Sequence, residues 1–145
     1  MNLEEIGKAW NEDAIIDVTN IVGESSETPK LHHKYLMMLL QAKREQRVRH
    51  VRLTKLKKLK QDWFLGRLDK SELNTLGWEQ CQILVPLKSE MNKYIDQDND
   101  VIALNSIVGE GQDKVYYLEE ILRQINSRGF QIKSIIDWSR FQSGG

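Results

Sequence analysis

Residues 28–66 read TPKLHHKYLMMLLQAKREQRVRHVRLTKLKKLKQDWFLG, and this stretch decides the fold class. Thr28-Pro29 is a helix start, with threonine as the cap and proline at the first helical position. No glycine or further proline interrupts the chain until Gly66, so a single helix of about 35 residues is expected. Leu31, Tyr35, Met38 and Ala42 form a heptad-like apolar seam. The next seam positions carry Glu45, Arg49 and Arg52, and the seam then resumes at Leu56, Leu59 and Trp63. Both ends of this helix should pack, while its charged middle should face solvent or a charged partner.

The middle is unusual in the sign of its charge. Residues 43–60 hold nine basic residues and one acid, Glu45. The chain as a whole has 21 basic and 21 acidic residues, so a basic element sits on an acidic body. A solvated helix face usually mixes signs to gain i,i+4 pairs. An unrelieved run needs neutralising from outside, and phosphates do this with a gain from counterion release. The candidate nucleic-acid contacts are Lys43, Arg44, Arg47, Arg49, Arg52, Lys55, Lys57, Lys58 and Lys60, with Arg67 beyond the helix end. Two alternatives stand beside nucleic acid: an acidic protein partner, which would make the chain a helical oligomeric adaptor, or the chain's own acidic body. Trp63 and Phe64 are open to two readings, base stacking or core packing.

Outward from this helix the chain divides into four parts. Residues 1–27 form an N-terminal segment: a short helix from Leu3 to about Trp10, a strand or turn at residues 14–18, and a polar loop at residues 23–27. Residues 28–66 are the long basic helix. Residues 67–97 are a connector, in which the Ile83-Leu84-Val85 run with Pro86 suits a strand or a helix equally. Residues 98–145 are a C-terminal helical oligomerisation region. There, Asp98 or Asp100 caps a second long helix, whose seam is Val101, Leu104, Val108, Gly111, Val115, Leu118, Leu122 and Ile125. Gly129 is expected to end it. A short amphipathic helix follows, and its wide apolar face (Phe130, Ile132, Ile135, Ile136, Trp138 and Phe141) suits a contact between subunits. The expectation is an all-α protein that completes its burial by assembling into a homo-oligomer.

Several function classes find no support. One cysteine, Cys81, excludes an internal disulfide framework and points to a reducing, intracellular compartment. No signal peptide or membrane span is visible. The run from Asp96 to Asp100 starts like a calcium loop, but Val101 replaces its glycine and Ile107 its final glutamate. A nuclease built on Asp96, Asp98 and Asp100 is the weakest reading. Neither a phosphate-binding glycine loop nor a nucleophile elbow is present. No enzyme, cofactor or metal site is expected.

The words Ser127-Arg128-Gly129-Phe130-Gln131-Ile132-Lys133, then Ile136-Asp137 and Phe141, resemble the end of the UvsY recombination mediators of T-even-type phages. Lys88-Ser89-Glu90-Met91, Asp100-Val101, Ile16-Asp17 and the sequence Asp62-Trp63-Phe64-Leu65-Gly66-Arg67 correspond at matching spacing. The resemblance implies binding of single-stranded DNA without sequence preference. It also implies a closed ring of six or seven subunits, and loading of a RecA-like phage recombinase against the phage single-strand-binding protein in the host cytoplasm. The family's DNA-contacting positions correspond to Lys58 and Lys60. The family has arginine at the second of these, and two tyrosines where Trp63 and Phe64 stand.

Overall fold

The computed structural model describes residues 1–82 and 88–144. The Ile83-Leu84-Val85 run and Pro86 lie outside the described residues. The described residues are helical and contain no strand: α1 (Leu3–Asp13), α2 (Ile21–Phe64), α3 (Lys70–Leu76), α4 (Met91–Asp96), α5 (Asn99–Asn126) and α6 (Arg128–Gln142), with a 3-10 turn at Lys88–Glu90. The chain forms two compact units, one of residues 1–44 with 111–145 and the other of residues 45–110.

The first unit packs α1, the first half of α2, the second half of α5 and α6. Ile6, Tyr35, Leu39, Ala42, Val115, Leu118, Ile121 and Ile125 form its core, with Trp10, Leu31, Met38, Tyr117 and Leu122 at the edge. Tyr35 shows how a polar group is kept there. Its hydroxyl donates to the Asp13 carboxylate (2.8 Å), which also accepts from Lys34 (2.6 Å). Burial and the bond to Asp13 push the Tyr35 hydroxyl well above its ordinary range. Burial also raises the Asp13 carboxyl, but the bonds from Lys34 and Tyr35 outweigh it and hold the group below its ordinary range.

Helix α2 begins earlier than expected. The predicted polar loop at residues 23–27 is helical, and Pro29 lies inside the helix rather than at its first position. The reason is partly local. Asn20 caps the start, its side-chain oxygen accepting from the Gly23 amide at 3.3 Å. The rest is tertiary. The buried Arg128 guanidinium pairs with Glu24 and donates to Thr28 Oγ1 at 3.1 Å, so it braces the first turns of α2 from α6. Residues 14–18 are turn and coil, not strand.

The second unit centres on Leu53, Phe64, Met91, Ile95 and Val101, with Leu56, Trp63, Cys81, Tyr94, Leu104 and Val108 packed against them. Its part of α2 buries Gln46, Leu53, Lys60 and Phe64. Glu45, Arg49 and Arg52 stay out of the core as expected and Leu56 and Trp63 pack at its edge, while the buried line itself runs through Gln46, Leu53, Lys60 and Phe64. Two of its positions are polar residues whose partners lie on α5 or just before it. Gln46 Nε2 donates to the Val108 carbonyl at 2.8 Å. Lys60 is described below. The expected connector contains α3, capped by Asp69, whose side chain accepts from the Glu72 amide at 2.8 Å. Gly66 and Gly77, both at positive φ, end α2 and α3.

The α5 seam was legible: Val101, Gly111, Val115, Leu118 and Ile125 are all buried. Of the two candidate caps, Asp98 is the one used. Its Oδ1 accepts from the amides of Asp100 (2.9 Å) and Val101 (3.1 Å). Gly129 does not end this helix. The break falls at Ser127, and Gly129 sits in the first turn of α6.

Candidate nucleic-acid interface

The basic residues of α2 separate by where the helix turns them. In the second unit, Arg47, Arg52, Lys55 and Lys58 are exposed and, among the described residues, have no carboxylate within 4.0 Å. At 3.6 residues per turn they share one sector of about 140°. The buried Gln46, Leu53 and Phe64 lie on the opposite side. The remaining basic residues flank that buried side, and each meets an acid. Arg49 approaches Glu45 at 3.9 Å and Lys57 approaches Asp96 at 3.8 Å. These two pairs are long and partly exposed, and contribute little to stability.

Lys60 differs from all of these. It is only 5% exposed. Its ammonium contacts Asp98 at 3.1 Å and Asp100 at 2.8 Å, and lies 4.0 Å from the centre of the Trp78 ring. The Trp63 ring completes the enclosure at 5.3 Å. Asp98 therefore has two duties, capping α5 with one oxygen and holding Lys60 with the other. Two carboxylates and two aromatic faces fill the space around this ammonium and leave it no outward surface for a phosphate. Of the two lysines expected on the binding face, Lys58 is exposed, whereas the charge of Lys60 is directed inward.

The aromatic pair packs inward as well. Phe64 is buried, and Trp63 donates its indole N–H to the Glu79 carbonyl at 2.7 Å while meeting Phe64 and Trp78 edge-on. Core packing, not base stacking, is the role this geometry supports. Trp78 was not singled out from the sequence, since its role depends on a lysine 18 residues away in the chain.

In the first unit, Arg44 is exposed and donates to Gln41 at 3.2 Å, while Lys43 reaches Glu119 at 3.8 Å. Arg67, just past α2, is exposed and approaches Asp62 at 3.9 Å. The candidate contact face on α6 is divided. Ile132 is buried, Ile135 and Ile136 are half-buried, and Phe130, Trp138 and Phe141 are exposed. The Trp138 and Phe141 rings stack with centroids 5.7 Å apart.

Asp96, Asp98 and Asp100, the weak nuclease triad, each face a lysine. Among the described residues, no three His, Cys, Asp or Glu side chains converge to hold a metal ion. Among the same residues, no helix is long and apolar enough to cross a membrane.

Residues 9–145 match the family described as "Recombination, repair and ssDNA binding protein UvsY". The chain belongs to this family. The recombination protein uvsY of Enterobacteria phage T4 is 27% identical over 144 residues, covering 99% of both chains. The crystal structure of the bacteriophage T4 recombination mediator protein UvsY (lattice type II) superposes with a TM-score of 0.84 at 26% identity, over 99% of this chain and 98% of that one. A second lattice of that protein, type I, gives a TM-score of 0.82 at 25% identity, over 95% of this chain and 98% of that one. The all-helical architecture is therefore that of the UvsY family, and it comes from a phage protein lineage concerned with recombination and repair.

Proposed function

We propose that this chain is a recombination mediator: it binds single-stranded DNA without sequence preference and promotes loading of a RecA-like recombinase against a single-strand-binding protein, in the host cytoplasm. The observation that carries the DNA contact is the outward sector of α2. Arg47, Arg52, Lys55 and Lys58 put four positive charges on one side of the helix and, among the described residues, have no carboxylate to neutralise them. A polyanion relieves that repulsion and releases counterions on binding. In the same unit Arg49, Lys57 and Arg67 add charge through pairs loose enough to be exchanged for phosphate; Arg44 and Lys43 are further candidate contacts in the first unit. Lys60 serves this face from behind, by tying α2 to the start of α5.

Assembly into a ring of six or seven copies, through Phe130, Trp138 and Phe141 on α6, multiplies a weak contact per subunit into tight binding of one strand. A strand drawn over several such helices is held in a path that a competing single-strand-binding protein does not share. That protein's grip weakens without nucleotide hydrolysis, and a recombinase gains access. Support for this step comes from the family and from the T4 relative being a recombination mediator.

The test is reconstitution. Single-stranded DNA is saturated with the phage binding protein, and recombinase filament growth is followed by fluorescence with and without this chain. The expected result is a shortened lag that disappears when Arg47, Arg52, Lys55 and Lys58 are all alanine. An acidic-partner adaptor would leave the lag unchanged in the purified system and would show no affinity for an oligonucleotide.

A further inference from the structure

A groove of about 490 Å³ lies between α2 and α4, beside the outward sector. Thr54, Lys57, Lys58 and Gln61 line it from α2, at i, i+3, i+4 and i+7 along one stripe of the helix; Asn92, Ile95 and Asp96 line it from α4 at i, i+3 and i+4. Its size is that of a small-ligand site. Its chemistry is polar. Among the described residues, the Gln61 and Asn92 carboxamides have no side-chain hydrogen bond, and each offers a donor and an acceptor side by side. The Lys57–Asp96 pair adds another adjacent donor and acceptor, and both groups are substantially exposed, so little holds the pair closed. Ile95, buried from solvent, supplies an apolar floor. Lys58 belongs both to this groove and to the unpaired cations of the outward sector.

We infer that this groove takes one unstacked nucleobase per subunit, while Lys58 at its mouth holds the adjoining phosphate. The inference rests on the single-stranded-DNA reading above and deepens it. Every base has a donor next to an acceptor on its Watson–Crick edge. Carboxamides that can turn over, next to a lysine–carboxylate pair, match that edge whichever base carries it. The groove therefore responds to the presence of a free base and not to its identity. In a duplex the same edges are occupied by the opposite strand, so the groove discriminates single strands from double strands at a cost the phosphate contacts alone could not impose.

The experiment compares three fluorescein-labelled probes of equal length by anisotropy at one salt concentration: an oligothymidylate, the same backbone carrying abasic sites, and a duplex. With the wild-type chain the oligothymidylate is expected to bind roughly 2- to 10-fold more tightly than the abasic strand, the worth of one net hydrogen bond. Asn92→Ala combined with Asp96→Ala should close that gap; thermal unfolding of the variant confirms that it is folded. Equal affinity of the wild-type chain for the thymidylate and abasic strands overturns the base site and leaves phosphate binding standing. Failure of every probe to bind overturns both the base site and the DNA reading beneath it.

Discussion

Lys58 and Lys60 lie one residue on either side of Leu59, yet they should respond in opposite ways to the loss of their charge. Lys58 is exposed with no carboxylate within 4.0 Å among the described residues, whereas Lys60 is enclosed by Asp98, Asp100 and Trp78. Consider Lys58→Ala and Lys60→Met against an oligonucleotide of about six nucleotides, short enough to engage the helix of one subunit. If Arg47, Arg52, Lys55 and Lys58 each neutralise one phosphate, the affinity varies with salt to a power of about 2.8, at about 0.7 per contact for a single strand. Raising salt from about 50 to about 200 mM then weakens binding roughly 50-fold in the wild type and roughly 20-fold in Lys58→Ala. Lys60→Met should keep the wild-type ratio. Its cost appears in stability instead. Removing the ammonium leaves two carboxylates facing each other without a cation, Asp98 mostly buried and Asp100 more than half exposed. Breaking a buried pair costs about 3–5 kcal/mol. The exposure of Asp100 places this case at the lower end, a fall in Tm of roughly 10 °C for a chain this size. The assays are anisotropy titration over a salt series and calorimetric unfolding. If Lys60→Met flattens the salt dependence as much as Lys58→Ala while leaving Tm in place, Lys60 leaves its enclosure to hold a phosphate and the division of roles is wrong.

Three further expectations concern the first unit. Tyr35 is held above its ordinary value of 10.0, so its contribution to stability is complete below pH 10 and is lost as pH rises beyond it, because the unfolded chain ionises first. Tyr35→Phe should remove that part of the alkaline loss, seen as a smaller drop in urea midpoint between about pH 9 and 11 than in wild type. Asp13 is held below 3.8, so its contribution is present above that value and disappears as pH falls through and below it; Asp13→Asn should flatten the acid limb of the same curve. On α6, Trp138→Ser with Phe141→Ser removes two exposed, stacked rings and no buried side chain. Sedimentation should show a smaller species with an unchanged helical spectrum, and an unchanged assembly would place the subunit contact elsewhere.

How much of this was legible in the sequence depended on where each partner sits. The α5 seam could be read, including its passage through Gly111, because each of its positions is apolar or glycine and the pattern is local. The Asp98 cap could be narrowed to two residues for the same reason. On α2 beyond Ala42 the edge of the core was readable at Leu56 and Trp63 but its buried centre was not, because two of the buried positions are Gln46 and Lys60. A polar residue on a seam reads as an interruption; only the Val108 carbonyl and the Asp98 and Asp100 carboxylates, far along the chain, make burial of these groups affordable. The early start of α2 was hidden likewise, since Arg128 braces Glu24 and Thr28 from a hundred residues away. On the candidate interface, the sequence showed the surplus of charge but not its sorting. Sorting needed the helix turn together with the location of the core, which sends Lys60 inward and Arg47, Arg52, Lys55 and Lys58 outward.

The most direct measurement is a titration of single-stranded DNA with the chain carrying Arg47→Ala, Arg52→Ala, Lys55→Ala and Lys58→Ala together, at low salt. None of the four side chains is buried or paired with a carboxylate among the described residues, so helix content and Tm should hold at wild-type values. Phosphate contact through this sector predicts that binding falls below detection or loses its salt dependence. Retained affinity with the wild-type salt dependence would mean that the strand lies on another surface.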